Sequence, residues 1–91
     1  MEYVLVEIGG AEWDYMWDWI KNHPLNEGLE KPGVALNDGI VWEYMGSFFH
    51  DGKILHDFKH RFHPTTKKRE YLTLYGSKDF TEEQIKKRFK I

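Results

Sequence analysis

The sequence predicts a single α+β domain whose elements follow in the order β-α-β-β-β-α, with an antiparallel meander sheet and two helices packed on one face. Three observations lead to this prediction. The chain has 91 residues, which is room for one hydrophobic core, so residues 1–91 are expected to form one domain. An Asp-Gly pair separates two long apolar-rich runs, which is a strong signal for a β-hairpin. A helical periodicity precedes these runs, and a helix-capping sequence follows them.

The first half of the chain is predicted to contain one strand, one helix and a long loop. Residues 2–8 are rich in β-branched and aromatic side chains and end at a Gly-Gly pair, which is typical of a strand before a sharp turn. Residues 11–22 are predicted to form a helix, because apolar side chains recur at helical spacing and Pro24 follows. These apolar positions are Trp13, Met16, Trp17 and Ile20. Prolines, glycines and asparagines in the segment Pro24–Gly39 predict a loop.

The second half is predicted to contain the hairpin, a fourth strand and a second helix. An Asp-Gly turn joins residues 40–50 to residues 53–63, and we expect these two runs to pair as strands two and three. In residues 69–75 leucines alternate with tyrosines and a threonine, which predicts strand four. A Thr-Glu-Glu-Gln capping box then predicts a short basic helix over residues 82–90.

The pairing register of the hairpin decides which face of its strands is buried, and two registers compete. A two-residue turn places Glu43 opposite His60, with Trp42 and Tyr44 among cations on the other face. A three-residue loop places Glu43 opposite Lys59 on the outer face and turns Trp42 and Tyr44 into the interior. We prefer the second register, because it gives an aromatic interior and a salt-bridged exterior.

The composition excludes several classes of function. The chain has no Cys, which rules out disulfides, thiolate nucleophiles and zinc sites built on sulfur. Its first residues are acidic rather than basic, and no apolar run reaches the ~18 residues of a membrane span. We therefore expect a cytoplasmic protein with no membrane contact and no cofactor.

Charge is distributed unevenly along the chain. The net charge is -2, yet residues 1–51 hold ten acidic residues against two lysines, and residues 52–91 hold eleven Lys and Arg against five acidic residues. The acidic and basic halves of such a chain can form ion pairs within one fold or between two copies. Alternatively, the basic half can bind an anion.

The predicted first helix supplies the first functional hypothesis, a non-enzymatic interaction domain. Tyr15 and Trp19 lie off the apolar stripe, so one core can hardly bury every ring of this helix. We expect Trp13, Tyr15 and Trp19 to contact a protein partner or a second copy of the chain. The alternative is that the segment Pro24–Gly39 folds over Tyr15 and Trp19 and leaves no apolar patch.

The basic hairpin, residues 53–69, supplies the second hypothesis, a nucleic-acid-binding domain. This stretch holds six Lys and Arg and three His against one acidic residue, which suits contact with phosphates. The candidate residues are Lys59, Arg61, His63, Lys67, Lys68 and Arg69. The alternative is a solvated turn and a sheet edge kept soluble by its lysines.

The histidines raise a third hypothesis, a metal site or a His-dependent hydrolase. His56, His60 and His63 have helical spacing, but on a strand His56 and His60 stand about 13 Å apart and His63 points to the opposite face. A two-residue turn would place Ser47 across from His56 and Glu43 beside His60, which is similar to an acid, base and hydroxyl set. A buried His bonded to a carboxylate is more typical of a satisfied polar core, so we expect neither a metal nor catalysis.

Overall fold

In the computed structural model, which describes residues 2–27 and 42–90, the chain forms an α+β fold with a five-stranded antiparallel sheet and one α-helix. The elements are β1 (Glu2–Val6), α1 (Ala11–Lys21), β2 (Glu43–His50), β3 (Lys53–His60), β4 (Glu70–Tyr75) and β5 (Ile85–Lys90), with 3-10 turns at Pro24–Asn26 and Glu82–Gln84. The strand order across the sheet is β4-β3-β2-β1-β5. The predicted α+β class is confirmed, but the predicted order of elements is not. Most of the predicted loop Pro24–Gly39 lies outside the described residues.

α1 packs against one face of the sheet and closes the core. Met16 and Ile20 of α1 are fully buried, as the predicted apolar stripe requires. They join one cluster with residues of three strands and the segment before β2: Val4, Val6, Trp42, Ile54, Phe58 and Leu74. Within the described part of the chain, no helix is both long enough and apolar enough to cross a membrane.

The turn of the hairpin is the two-residue turn that the Asp-Gly pair predicts. Asp51 has φ 51° and Gly52 has φ 74°, so both central residues adopt the left-handed conformation that a tight hairpin turn requires. Phe49 therefore pairs with Ile54, in the first of the two registers. This pairing holds only for the half of the hairpin next to the turn.

A β-bulge at Met45 changes the register in the other half of the hairpin. Gly46, beside the bulge, has φ 126°, a conformation that a glycine adopts without strain. Beyond the bulge, Glu43 pairs with Lys59, as the second register predicts. The pairing of Glu43 with His60, which the first register predicts, is wrong. Tyr44 turns toward the core, where its ring lies 5.5 Å from that of Phe58. Both registers are therefore present, one on each side of the bulge.

The predicted C-terminal helix is wrong, because residues 85–90 form β5 instead. The local capping signal gives only a 3-10 turn at Glu82–Gln84, and the Thr81 side chain makes no capping hydrogen bond. β5 pairs with β1 along its whole length, which supplies backbone partners to a strand that would otherwise be the sheet edge. The Gln84 side chain accepts a hydrogen bond from Glu12 N–H at 3.0 Å, at the start of α1 rather than of a second helix.

The cross-strand pairing sorts side chains onto two faces of the sheet. The face under α1, called the helix face, carries the row Val4, Ser47, His56 and Leu74. The opposite face, called the open face, carries the row Phe89, Tyr3, Phe48, Leu55 and Tyr75, one residue from each strand. Loop residues are also bound on the helix side, where Asn26 contacts Trp42 and Phe80 contacts Phe49. Within the described residues, α1, Asn26 and Phe80 therefore pack on the helix face.

Candidate functional site

A buried hydrogen-bonded cluster, called the polar network, links four parts of the fold. It consists of Glu12 of α1, Tyr44 and Ser47 of β2, His56 of β3 and Ser77 after β4. His56 Nε2 lies 2.7 Å from Glu12 Oε2, and His56 Nδ1 lies 2.6 Å from Ser47 Oγ. The Glu12 carboxylate also accepts bonds from Ser77 N–H at 2.9 Å and Ser77 O–H at 2.5 Å.

One arrangement of protons satisfies every link of the polar network. Val6 N–H donates to Tyr44 Oη at 3.2 Å, so the Tyr44 hydroxyl is free to donate to Ser47 Oγ. Ser47 in turn donates to Nδ1 of His56, which leaves the imidazole proton on Nε2, facing Glu12. This arrangement has a neutral His56, because a second ring proton on Nδ1 would meet the Ser47 hydroxyl proton.

The electrostatics of the interior agree with this arrangement. Burial lowers the pKa of His56, and the hydrogen bond and charge of Glu12 only partly oppose that shift. Burial likewise raises the pKa of Tyr44, so its hydroxyl keeps its proton at neutral pH. Burial thus favours the neutral forms of both His56 and Tyr44.

Gly76 closes the polar network from the outside. A Cβ at this position would overlap Ile54 Cγ2 and would stand only 3.0 Å from Glu12 Oε2 and 3.3 Å from His56 Nε2. Ser47 and His56 are 0% exposed. A substrate cannot reach these atoms without opening the fold, so the network joins helix, sheet and loop rather than forming an active site.

His56, His60 and Glu43, the residues of the third hypothesis, do not converge. Glu43 lies on the open face, 2.7 Å from Arg61 Nε, while His56 is bonded to Glu12 on the helix face. His60 is also buried on the helix face. No group of three or more potential ligand side chains is placed to hold a metal ion within residues 2–27 and 42–90.

The predicted orientation of His63 is wrong, because the chain turns back after β3. Its ring lies 5.2 Å from that of His60 and 6.0 Å from that of Trp42, on the same side. Thr65 N–H donates to His63 Nδ1 at 3.1 Å, and Trp42 Nε1 donates to the Asn26 side chain at 2.8 Å. His63 is fully buried, so it cannot contribute to an exposed basic surface as the sequence suggested.

The other predicted nucleic-acid-binding residues are on the surface. Lys59 lies on the open face, and its Nζ is 4.0 Å from Glu43 Oε2, which Arg61 also approaches. The turn between β3 and β4 exposes Lys67, Lys68 and Arg69. These five cations are therefore available to solvent and surround one end of the sheet.

The predicted protein-interface residues differ in their exposure. Trp13 is half-buried, with its ring edge-on to those of Trp17 and Tyr44 at 5.6 Å each, so it is largely part of the core. Tyr15 is 40% exposed. Trp19 is half-buried with its ring 5.0 Å from that of His23. Tyr15 and Trp19 line a shallow groove of about 410 Å³ that also includes Asp18, Asn22, His23 and Pro24.

Sequence reasoning missed the aromatic row on the open face. Tyr3 lies between Phe89 and Phe48, with ring centroids 5.8 Å from Phe89 in a stacked geometry and 6.0 Å from Phe48. Tyr75 at the end of the row is 59% exposed, and Tyr71 on the same strand is 58% exposed. The period-two pattern of each strand was readable, but the row becomes visible only when β1 and β5 are known to be neighbours.

Cations accompany the aromatic row. Lys53 Nζ stands 5.5 Å from the centre of the Tyr75 ring, a cation–π contact. Lys59 and Lys87 occupy the open face through their pairing with Tyr71 and Leu5. On the described strands, the acidic side chains of this face are both bonded: Asp57 accepts from Thr73 Oγ1 at 2.7 Å, and Glu43 pairs with Arg61 at 2.7 Å and Lys59 at 4.0 Å.

The fold and the surface define a small α+β domain whose second sheet face is aromatic and basic. Of the aromatic row, Tyr75 is 59% exposed, Tyr3, Phe48 and Phe89 are half-buried, and Leu55 is buried. A scan against protein-family models, a search of curated proteins and a search of solved structures each found no match to the chain.

Proposed function

We propose that this protein binds single-stranded nucleic acid on the open face of its sheet. The single observation that carries the proposal is the row of Phe89, Tyr3, Phe48, Leu55 and Tyr75, which crosses all five strands. Neighbouring strands stand about 4.8 Å apart, so the row is about 19 Å long. A surface of this length is enough for several nucleotides in sequence.

The chemistry of the row suits bases rather than the edges of a duplex. Unpaired bases stack on aromatic side chains, and each such contact contributes about 1–3 kcal/mol. In a duplex the bases already stack on each other, and a broad sheet cannot reach their faces. The row therefore favours single strands over duplexes.

The charges of the open face suit a phosphate backbone. Lys53, Lys59 and Lys87 are distributed along the face. Asp57 is bonded to Thr73, and Glu43 is held mainly by Arg61 at 2.7 Å, with Lys59 at 4.0 Å. Three phosphate contacts on a single strand predict a slope of about −2 in a plot of log K against log salt. The basic turn at residues 67–69 extends the positive surface beyond the sheet.

Fluorescence anisotropy with labelled single-stranded and duplex oligonucleotides at about 50 and 200 mM salt tests the proposal. Phe48→Leu and Tyr75→Leu keep an apolar side chain but remove the ring, so each should weaken single-strand binding by about 5- to 100-fold. Tyr15→Leu, on the outer side of α1, is the matched control and should bind like the unmodified protein. Absence of binding at 50 mM salt, or equal loss in the control, would contradict the proposal.

A second candidate function is self-association through α1. The groove beside Tyr15 and Trp19 contains Asp18, and Asp14 is also exposed on the outer side of α1. The exposed basic turn at residues 67–69 of a second copy has the complementary charge. Each copy would offer both surfaces, which is the arrangement of a symmetric dimer.

A further inference from the structure

A cavity of about 550 Å³ lies at the end of the aromatic row, between the β2–β3 turn and the loop after β4. Its walls include Lys53, Ile54, Tyr75, Ser77, Lys78 and Phe80. We infer that this cavity binds a nucleoside phosphate, the terminal nucleotide of a bound strand. The inference rests on the proposed binding of single strands, and it adds a separate site with its own ligand class.

Two cations of the cavity lack acidic partners. In the described part of the chain, no carboxylate lies within 4.0 Å of Lys53 Nζ or Lys78 Nζ. Glu12, which bonds the lining residue Ser77, is 1% exposed, and its oxygens are bonded to Ser77 and His56. A phosphate entering the cavity therefore meets two ammonium groups and no exposed carboxylate among its lining residues.

The apolar walls suit a base and a ribose. Tyr75 and Phe80 contribute aromatic side chains to the lining, and Ile54 contributes an aliphatic one. Ligand sites in proteins occupy about 300–1,000 Å³, and they combine apolar walls with a few charged groups. The combination of rings and lysines is specific for a phosphorylated, aromatic ligand rather than for phosphate alone.

Tyr75 connects the cavity to the open face. It ends the aromatic row and also forms a wall of the cavity. A strand that stacks its bases along the row therefore reaches the cavity at its end. A phosphorylated strand end, unlike an internal nucleotide, carries a phosphate monoester that is not linked to a second nucleotide.

The polar network holds the cavity wall in place before a ligand arrives. Gly76 N–H donates to Ile54 O at 2.8 Å, and Ser77 donates twice to the buried Glu12 carboxylate. A Cβ at Gly76 would overlap Ile54 Cγ2, so the backbone here is fixed against β3. Such preorganisation reduces the entropy that binding must remove.

Titration of the 15N-labelled protein with a nucleoside 5′-monophosphate, the matching nucleoside and inorganic phosphate tests the site. We expect amide shifts at residues 76–80, with the monophosphate binding at least tenfold more tightly than either fragment. Lys53→Ala and Lys78→Ala should each weaken the monophosphate at least fivefold, and the control Lys67→Ala should not. Equal binding of nucleoside and monophosphate, or shifts elsewhere on the protein, would overturn the inference.

A second arm separates a strand end from a free mononucleotide. Single strands of one sequence are compared with a 5′-phosphate, a 3′-phosphate or hydroxyl ends, and one phosphorylated end should bind at least fivefold more tightly than the hydroxyl form. That preference should disappear in Lys78→Ala but persist in Phe48→Leu. Strands that bind equally well would refute the strand-end assignment alone. Monophosphate binding without any strand binding would refute the proposed function while supporting the cavity as a nucleotide site.

Discussion

At the scale of single residues, the polar network shows why a buried Ser, His and Glu need not form an active site. The acid, base and hydroxyl are within bonding distance, yet Ser47 and His56 have no exposed surface. Every donor in the chain from Val6 N–H to Glu12 has an acceptor. Since unbonded polar groups are costly in an apolar interior, this completeness stabilises the junction between α1 and the sheet.

Ser47→Ala tests the contribution of the network. The change leaves Tyr44 O–H without its acceptor and His56 Nδ1 without its donor, so we expect a loss of about 1–3 kcal/mol in the free energy of unfolding. Urea denaturation measures this loss. Thr73→Ala removes an exposed hydroxyl bond to Asp57 and is the matched control, with an expected change within about 0.5 kcal/mol. Equal effects in the two variants would contradict the role given to the network.

The lowered pKa of His56 predicts a pH-dependent stability. The unfolded chain binds a proton at His56 near its usual pKa of 6.5, whereas the folded chain binds it only at lower pH. The unfolded state therefore gains protons first, and the stabilisation present above pH 6.5 is lost as pH falls from there through the lowered folded pKa. Unfolding curves between pH 7.5 and 5 measure this slope. His56→Gln should flatten it, and an unchanged slope in that variant would assign the effect to other groups.

At the scale of elements, α1 has a buried side and an outer side with different roles. Met16 and Ile20 are in the core, while Tyr15 and Trp19 line the outer groove. If the groove binds the basic turn of a second copy, Tyr15→Ala and Trp19→Ala should weaken self-association. Because Tyr15 is 40% exposed, Tyr15→Ala should change the melting temperature little. Analytical ultracentrifugation at low and high salt measures this. A single monomeric species at low salt would exclude the dimer.

The elements also show which structures can be predicted from local sequence. The hairpin turn could be predicted because Asp51 and Gly52 carry its conformational requirement themselves. The bulge at Met45 could not be predicted from local sequence. It shifts the register so that Tyr44 is turned inward, although the tight turn seven residues away sets the opposite register. β5 was missed because its pairing with β1, at the other end of the chain, outweighs a local helix-start signal.

At the scale of the whole molecule, the sequence asymmetry in charge becomes a difference between surfaces. The outer side of α1 exposes Asp14 and Asp18, whereas the open face and its edges expose lysines from β3 and β5. A net charge of -2 conceals this division. The candidate cations could be found from the sequence, but the aromatic row that accompanies them depends on the order of strands in the sheet.

The most direct test of the central claim is to map where a single strand contacts the protein. We would titrate the 15N-labelled protein with an unstructured single-stranded oligonucleotide of about ten nucleotides and follow its backbone amides by NMR. The account predicts the largest shift changes on the open face, at Tyr3, Phe48 and Tyr75, with α1 nearly unaffected. Changes confined to α1 around Tyr15, or no changes at low salt, would contradict it.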